Sequence, residues 1–190
     1  MKDRGFTLVE LMITVVMLAV LVVVTLPPVL RAVERREVVN AAQAILDLIE
    51  FAKVQAAARN RAYQVVPVKT TGQPGQNGSI TLNEGLTSAC INFDDPQAIH
   101  GVRVLDLAVE YPSIHVVALV PDDLDQATLC IRPDGRVLRT DTGLPIPSGD
   151  SRYAAGDARI VVQRSGGAGR FEGVQNAVVI PFNGAARLAL

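Results

Sequence analysis

Residues 1–26 read Met1-Lys2-Asp3-Arg4-Gly5-Phe6-Thr7-Leu8-Val9-Glu10-Leu11-Met12-Ile13-Thr14-Val15-Val16-Met17-Leu18-Ala19-Val20-Leu21-Val22-Val23-Val24-Thr25-Leu26. A short charged leader ends at Gly5. From Phe6 to Leu26 only Thr7, Glu10, Thr14 and Thr25 are polar. As a helix this run rises roughly 31 Å, about the thickness of a bilayer's hydrocarbon core. It is longer than the apolar stretch of a secretory signal peptide, and no Ala-x-Ala-like cleavage site follows before Arg31. Glu10 stands alone inside it. A lone carboxylate in a membrane helix costs a few kcal/mol at mid-depth and less near the end, so it needs a compensating partner. Cutting the chain between Gly5 and Phe6 creates a free α-amine one helical turn from Glu10. In a bundle of such helices, the amine of one chain can pair with the carboxylate of its neighbour and set the axial register.

Outward from this run, Pro27-Pro28 precede a stretch without Gly or Pro as far as Arg61. Apolar residues recur at Val38, Ala41, Ala42, Ile45, Leu48, Ile49, Ala52 and Ala56, the steps of three and four that make one helical stripe. Arg36, Asn40, Gln43, Asp47, Glu50, Lys53 and Asn60 supply the wet side. The first third therefore reads as one helix of about 55 residues, greasy all round below and amphipathic above, and kinked at the proline pair. On either side of the breaker-rich loop 70–79, short β-rich runs predict strands near 63–68, 80–83, 102–109, 114–119, 127–132, 137–139, 158–164 and 177–181. Turn residues at 133–135, 145–149 and 166–169 punctuate them. With no helices between, the strands favour an antiparallel sheet, one face of it covered by the amphipathic half-helix.

The rest of the composition is mostly exclusion. The chain has 190 residues, 49% of them hydrophobic, and a net charge of −1, so it is no disordered polyelectrolyte. Lys and Arg number 18 against 19 Asp and Glu, which excludes a generally basic nucleic-acid binder. The two cysteines, Cys90 and Cys130, lie beyond the membrane run. If that region is exported they form a disulfide closing a loop of about 41 residues; otherwise they are two buried thiols in a reducing compartment. Orientation is not settled by charge, since Lys2 and Arg4 precede the run while Arg31, Arg35 and Arg36 follow it.

The pattern Gly5-Phe6-Thr7-Leu8-Val9-Glu10 resembles the N-terminus of a type IV prepilin or a type II secretion pseudopilin. The resemblance implies that a prepilin peptidase cuts after Gly5 and N-methylates Phe6, that Glu10 mediates assembly, and that the leader stays cytoplasmic. A dedicated targeting route outweighs a difference of one basic residue. Pro27 falls where that family kinks its long helix. The run 46–62 leading into Tyr63-Gln64-Val65-Val66, and Ile131-Arg132-Pro133-Asp134-Gly135-Arg136, resemble the GspH/FimT group of minor pilins and pseudopilins.

The expected fold is thus α+β: a pilin-like helical spine packed on an antiparallel β-sheet head. Its parts are a leader (1–5), a transmembrane and filament-core helix (6–27), the amphipathic half-helix (28–62) and a periplasmic head (63–190). The expected function is structural: a minor pilin that helps prime or cap a type IV pilus. Its implied partners are other minor and major pilins, the prepilin peptidase and the inner-membrane assembly platform, with no cofactor, metal or catalytic residue. A type II secretion pseudopilin is one alternative. A DNA-binding tip pilin, using Arg159, Arg164, Arg170 and Arg187, is another. An ordinary signal anchor with a stray Glu is the bland reading of the N-terminus. His100 and His115 read as surface or strand positions, Asp122, Asp123 and Asp125 as an acidic cluster without EF-hand spacing, and 166–169 as a hairpin tip.

Overall fold

The computed structural model describes residues 8–73, 75–121, 123–124, 128–146, 157–165 and 171–189. The first element, α1 (Leu8–Arg59), has 52 residues and stays helical through Pro27-Pro28. The chain forms two compact units, one ending at Arg36 and the other running from Glu37 to Leu190. In the first, the side chains from Leu8 to Leu26 are exposed on every side, over 19 residues of mean hydropathy 2.8. This helix is long and apolar enough to cross a membrane. Its threonines return their hydroxyls to the helix, Thr14 Oγ1 donating to Leu11 O and Thr25 Oγ1 to Leu21 O, each at 2.8 Å. Such internal satisfaction is what hydrocarbon demands of a polar group.

In the second unit the stripe read from the sequence is the buried one. Val38, Ala41, Ala42, Ile45, Leu48, Ile49, Ala52 and Ala56 are all buried. Four alanines keep the helix close to its neighbours, while each buried Ile or Leu contributes about 1.5–3 kcal/mol. Asn60 ends the helix in the left-handed region at φ 53°, and Arg61 N–H bonds back to Ala56 O at 3.3 Å. That closure satisfies a last-turn carbonyl and turns the chain into the first strand.

The strands are β1 (Tyr63–Val68), β2 (Ser79–Glu84), β3 (Ile99–Asp106), β4 (Ile114–Val120), β5 (Leu129–Ile131), β6 (Val137–Arg139), β7 (Ala158–Ser165), β8 (Phe171–Ile180) and β9 (Arg187–Ala189). All their pairings are antiparallel. They make two sheets, ordered β3-β2-β1-β5-β6 and β4-β7-β8-β9. The half-helix therefore lies against the inner faces of two sheets, where one covered face was expected. Val65, Ile80 and Leu82 from the first sheet and Val116, Ile160 and Val178 from the second join its stripe in a single core.

Several elements differ from expectation: α1 ends at Arg59 and not at 62, and β3 starts at Ile99 and not at 102. The chain leaves β3 at Asp106, whose side chain accepts from Ala108 N–H at 2.9 Å and starts the short helix α2 (Leu107–Glu110). This cap diverts a run that looked like strand to 109. β8 starts at Phe171, earlier than 177, because Gly173 at φ 91° is accommodated within the strand. β9 was not foreseen. The edges of β5 fall inside the expected 127–132, with Thr128 at φ 45° before its start.

Candidate functional site

Glu10 lies in the first turn of α1, exposed among Leu8, Val9, Leu11, Met12 and Ile13. Gly5 and Phe6 lie outside the described residues. Pro27 is helical, with helix on both sides of it.

The head contributes a buried acid that the sequence did not reveal. Glu84, at the end of β2, is 2% exposed. Its carboxylate accepts from Arg59 Nη1 at 2.6 Å, Arg61 Nη1 at 3.2 Å and the Tyr63 hydroxyl at 2.8 Å. The knot ties the last turn of α1, the turn after it and the start of β1 to β2. Burial, and then the Glu84 carboxylate, push the Tyr63 phenol up to about 12. A chain of side-chain hydrogen bonds also crosses the first sheet. Gly101 N–H donates to Asn83 Oδ1 and Asn83 Nδ2 to Gln64 Oε1, both at 2.9 Å. Gln64 Nε2 donates to Thr128 Oγ1 at 3.0 Å, which donates to Thr140 Oγ1 at 2.8 Å. Spacing along the chain carries no signal for either network, because the partners meet only through strand pairing.

Cys90 and Cys130 are bonded, with Cα atoms 5.7 Å apart. Cys130 lies on β5, while Cys90 lies on the β2–β3 connection, so the bond joins a loop to a strand and not two strands of the sheet. With Ala62, Phe93, Leu138 and Phe182 it forms a second apolar cluster, separate from the main core. The loop is also held by Ala62 N–H to Thr87 O at 2.7 Å and Gly85 N–H to Ala62 O at 2.8 Å.

The remaining candidates are scattered. His115 meets Phe171 edge-on, with ring centroids 5.5 Å apart, and burial lowers its pKa. The two rings border a cleft of about 320 Å³ beside Gly72, Gly75 and Asn77. Asp123 pairs with Arg139, which also holds Asp141 at 2.7 Å; Asp122 and Asp125 lie outside the described residues. Of the four arginines, the three described ones, Arg159, Arg164 and Arg187, do not form one patch. Arg164 approaches Glu37 of α1 at 3.8 Å, and Arg187 approaches Asp157 at 3.7 Å. Arg159 and Arg187 both face Val179 in register, at the other end of the second sheet. Arg170 and residues 166–169 lie outside the described residues.

Residues 1–26 match the family model for the prokaryotic N-terminal methylation motif. That motif marks type IV pilin-like proteins, and the helix packed on antiparallel sheets gives this chain a pilin-like α+β arrangement. No curated protein matches the chain, and no solved structure does.

Proposed function

We propose that this protein is a filament subunit, a minor pilin or pseudopilin of the GspH/FimT kind, working by assembly and not by catalysis. The observation that carries the reading is the methylation motif running directly into a helix whose apolar residues Leu8–Leu26 are exposed on every side. An exposed surface of that kind needs lipid before assembly and neighbouring helices after it. Processing after Gly5 leaves Phe6 as the N-methylated terminus, and Glu10 sets register against the terminal amine of the adjacent subunit. Pro27 bends the spine. The head stands in the periplasm, where an oxidising environment maintains the Cys90–Cys130 bond. The partners are other pilins, the prepilin peptidase and an inner-membrane assembly platform. The passage from α1 through Arg59-Asn60 into β1 supports the GspH/FimT assignment.

The test is the intact mass of the membrane-extracted chain with and without the prepilin peptidase. Loss of residues 1–5 with one added methyl, in the presence of the peptidase only, is the expected result. An unprocessed chain in both strains overturns the reading and leaves a signal-anchored domain. Piliation and exoprotein secretion, measured in a strain lacking this protein, then separate a pilus subunit from a pseudopilus subunit.

A further inference from the structure

The chain contains two Asn-Gly pairs, Asn77-Gly78 and Asn183-Gly184. Glycine has no Cβ, so it leaves its own amide nitrogen open to the side chain before it. The fold treats the two pairs oppositely. Asn77 is 3% exposed. Its Nδ2 donates to Pro112 O and its carbonyl accepts from Val116 N–H, both at 2.8 Å. Gly78 is packed so closely on Val68 and Val116 that even a Cβ has no room. Asn183 and Gly184 instead lie exposed in the turn between β8 and β9. Among the described residues, no backbone carbonyl holds the Gly184 N–H, and a Cβ on Gly184 would meet nothing within 4 Å.

We propose that Asn183-Gly184 is a site of self-modification. The Gly184 nitrogen gives up its proton to hydroxide and attacks Asn183 Cγ. A C–N bond forms, the side-chain nitrogen leaves as ammonia, and a succinimide ring closes. Water then opens the ring at either carbonyl, leaving aspartate or isoaspartate at position 183. The net change converts one amide and one water into one carboxylic acid and one ammonia, with no oxidant or reductant. At Asn77 the same attack would first have to pull the side-chain amide from Pro112 O and then crowd Val68 and Val116.

The modified turn is one that α1 holds. Lys53 Nζ donates to Gly184 O at 2.6 Å and to Glu50 Oε1 at 3.3 Å, and Glu50 Oε1 also accepts from Ala186 N–H at 2.8 Å. These bonds clasp the turn to the helix just before β9 begins at Arg187. Isoaspartate inserts a methylene into the main chain ahead of Gly184, about 1.5 Å of extra backbone. Gly184 O and Ala186 N–H cannot then both keep their partners, so the clasp loosens. In a chain that is exported and not remade in place, the modified share counts the time since export. That role rests on the export proposed above; the chemistry does not.

The test incubates the purified full-length chain in detergent at neutral pH and follows each asparagine by peptide mass. Acid should replace amide at Asn183 roughly tenfold faster than at Asn77, a ratio that needs only about 1.4 kcal/mol of extra barrier. Unfolding in urea should bring the two rates together. Gly184→Ala should slow the change at Asn183 several-fold, because a Cβ shields the attacking nitrogen. The rate should climb with pH, since that nitrogen attacks only once deprotonated. In the modified chain the Ala186 amide should exchange several-fold faster, and Asn183→Gln should keep it at the starting rate. Equal rates at Asn77 and Asn183 in the folded chain, or no gain at Asn183 over Asn92, overturn the site. An unchanged Ala186 exchange in modified chains overturns the loosening. A chain that stays unprocessed in membranes overturns the export setting and leaves the result on purified protein standing.

Discussion

The Glu84 knot makes a quantitative prediction. Glu84→Gln keeps the side chain's shape and one acceptor for the Tyr63 hydroxyl, but removes the charge that two guanidiniums share. Each charge-assisted bond is worth about 1.5–3 kcal/mol where both partners are buried. Here the arginine side chains are 52% and 42% exposed, against 2% for the glutamate. Both cations therefore recover water, and the sum must be discounted heavily. A loss of about 2 kcal/mol follows for Glu84→Gln. Glu84→Leu also leaves the Tyr63 hydroxyl buried without a partner, adding about 1–3 kcal/mol. Tyr63→Phe removes one donor from an otherwise complete site and should cost about 1 kcal/mol.

The assay is thermal unfolding of a head fragment that begins at Val29, after the apolar run. For a unit of this size, 1 kcal/mol moves Tm by about 2–4 °C. Glu84→Gln should lower Tm by about 4–8 °C, Glu84→Leu by more, and Tyr63→Phe by less than either. A Glu84→Leu variant as stable as the parent would refute the reasoning. Replacing a buried ion pair by an apolar side chain is neutral in some proteins, and that result would mean desolvation cancels the knot.

The same tyrosine predicts a pH limit: its folded-state pKa of about 12 lies above the ordinary 10.0, so its contribution is complete below about 10 and lost as pH rises through about 12. Tyr63→Phe should flatten the fall of the urea midpoint across that window. His115 has the opposite sign: burial lowers its pKa, so its contribution is present above about 6.5 and lost as pH falls through the folded value. His115→Gln should shrink the acid limb of the same curve. Reducing Cys90–Cys130, or replacing both by Ser, should cost about 4 kcal/mol in the chain-entropy account, read as a lower urea midpoint. Gly78→Ala should cost at least 2 kcal/mol, because φ is 98° and the added Cβ meets Val68 O at 2.6 Å and Val116 Cβ at 2.9 Å. An unchanged Tm would show that the 70–79 loop moves away from β4 at little cost.

Much of the architecture was legible because it follows a local period. The eight buried positions of the half-helix repeat at three and four, and β1 and β6 have the bounds that alternation and turn residues suggested. The helix was expected to run to 62 and ends at Arg59, because asparagine tolerates the left-handed region and closes the last turn at Asn60. Legibility stopped where a side chain competed with the backbone pattern. Asp106 converts the end of an apolar run into α2, and the division of nine strands between two sheets depends on pairings that no window of sequence contains.

That division explains why the N-terminal motif stood out in the sequence and the head's polar contacts did not. In hydrocarbon every residue is constrained alike: side chains must be apolar and hydroxyls must return to the helix, as Thr14 and Thr25 do. One departure such as Glu10 is conspicuous against that background. In the head the inner faces are constrained by packing, but an outward position on a strand is held only by what it meets. Asn83 and Gln64 look like ordinary polar strand residues until β1 and β2 set them 2.9 Å apart. The head's polar contacts are therefore written in pairings, and they become readable only once the sheets are known.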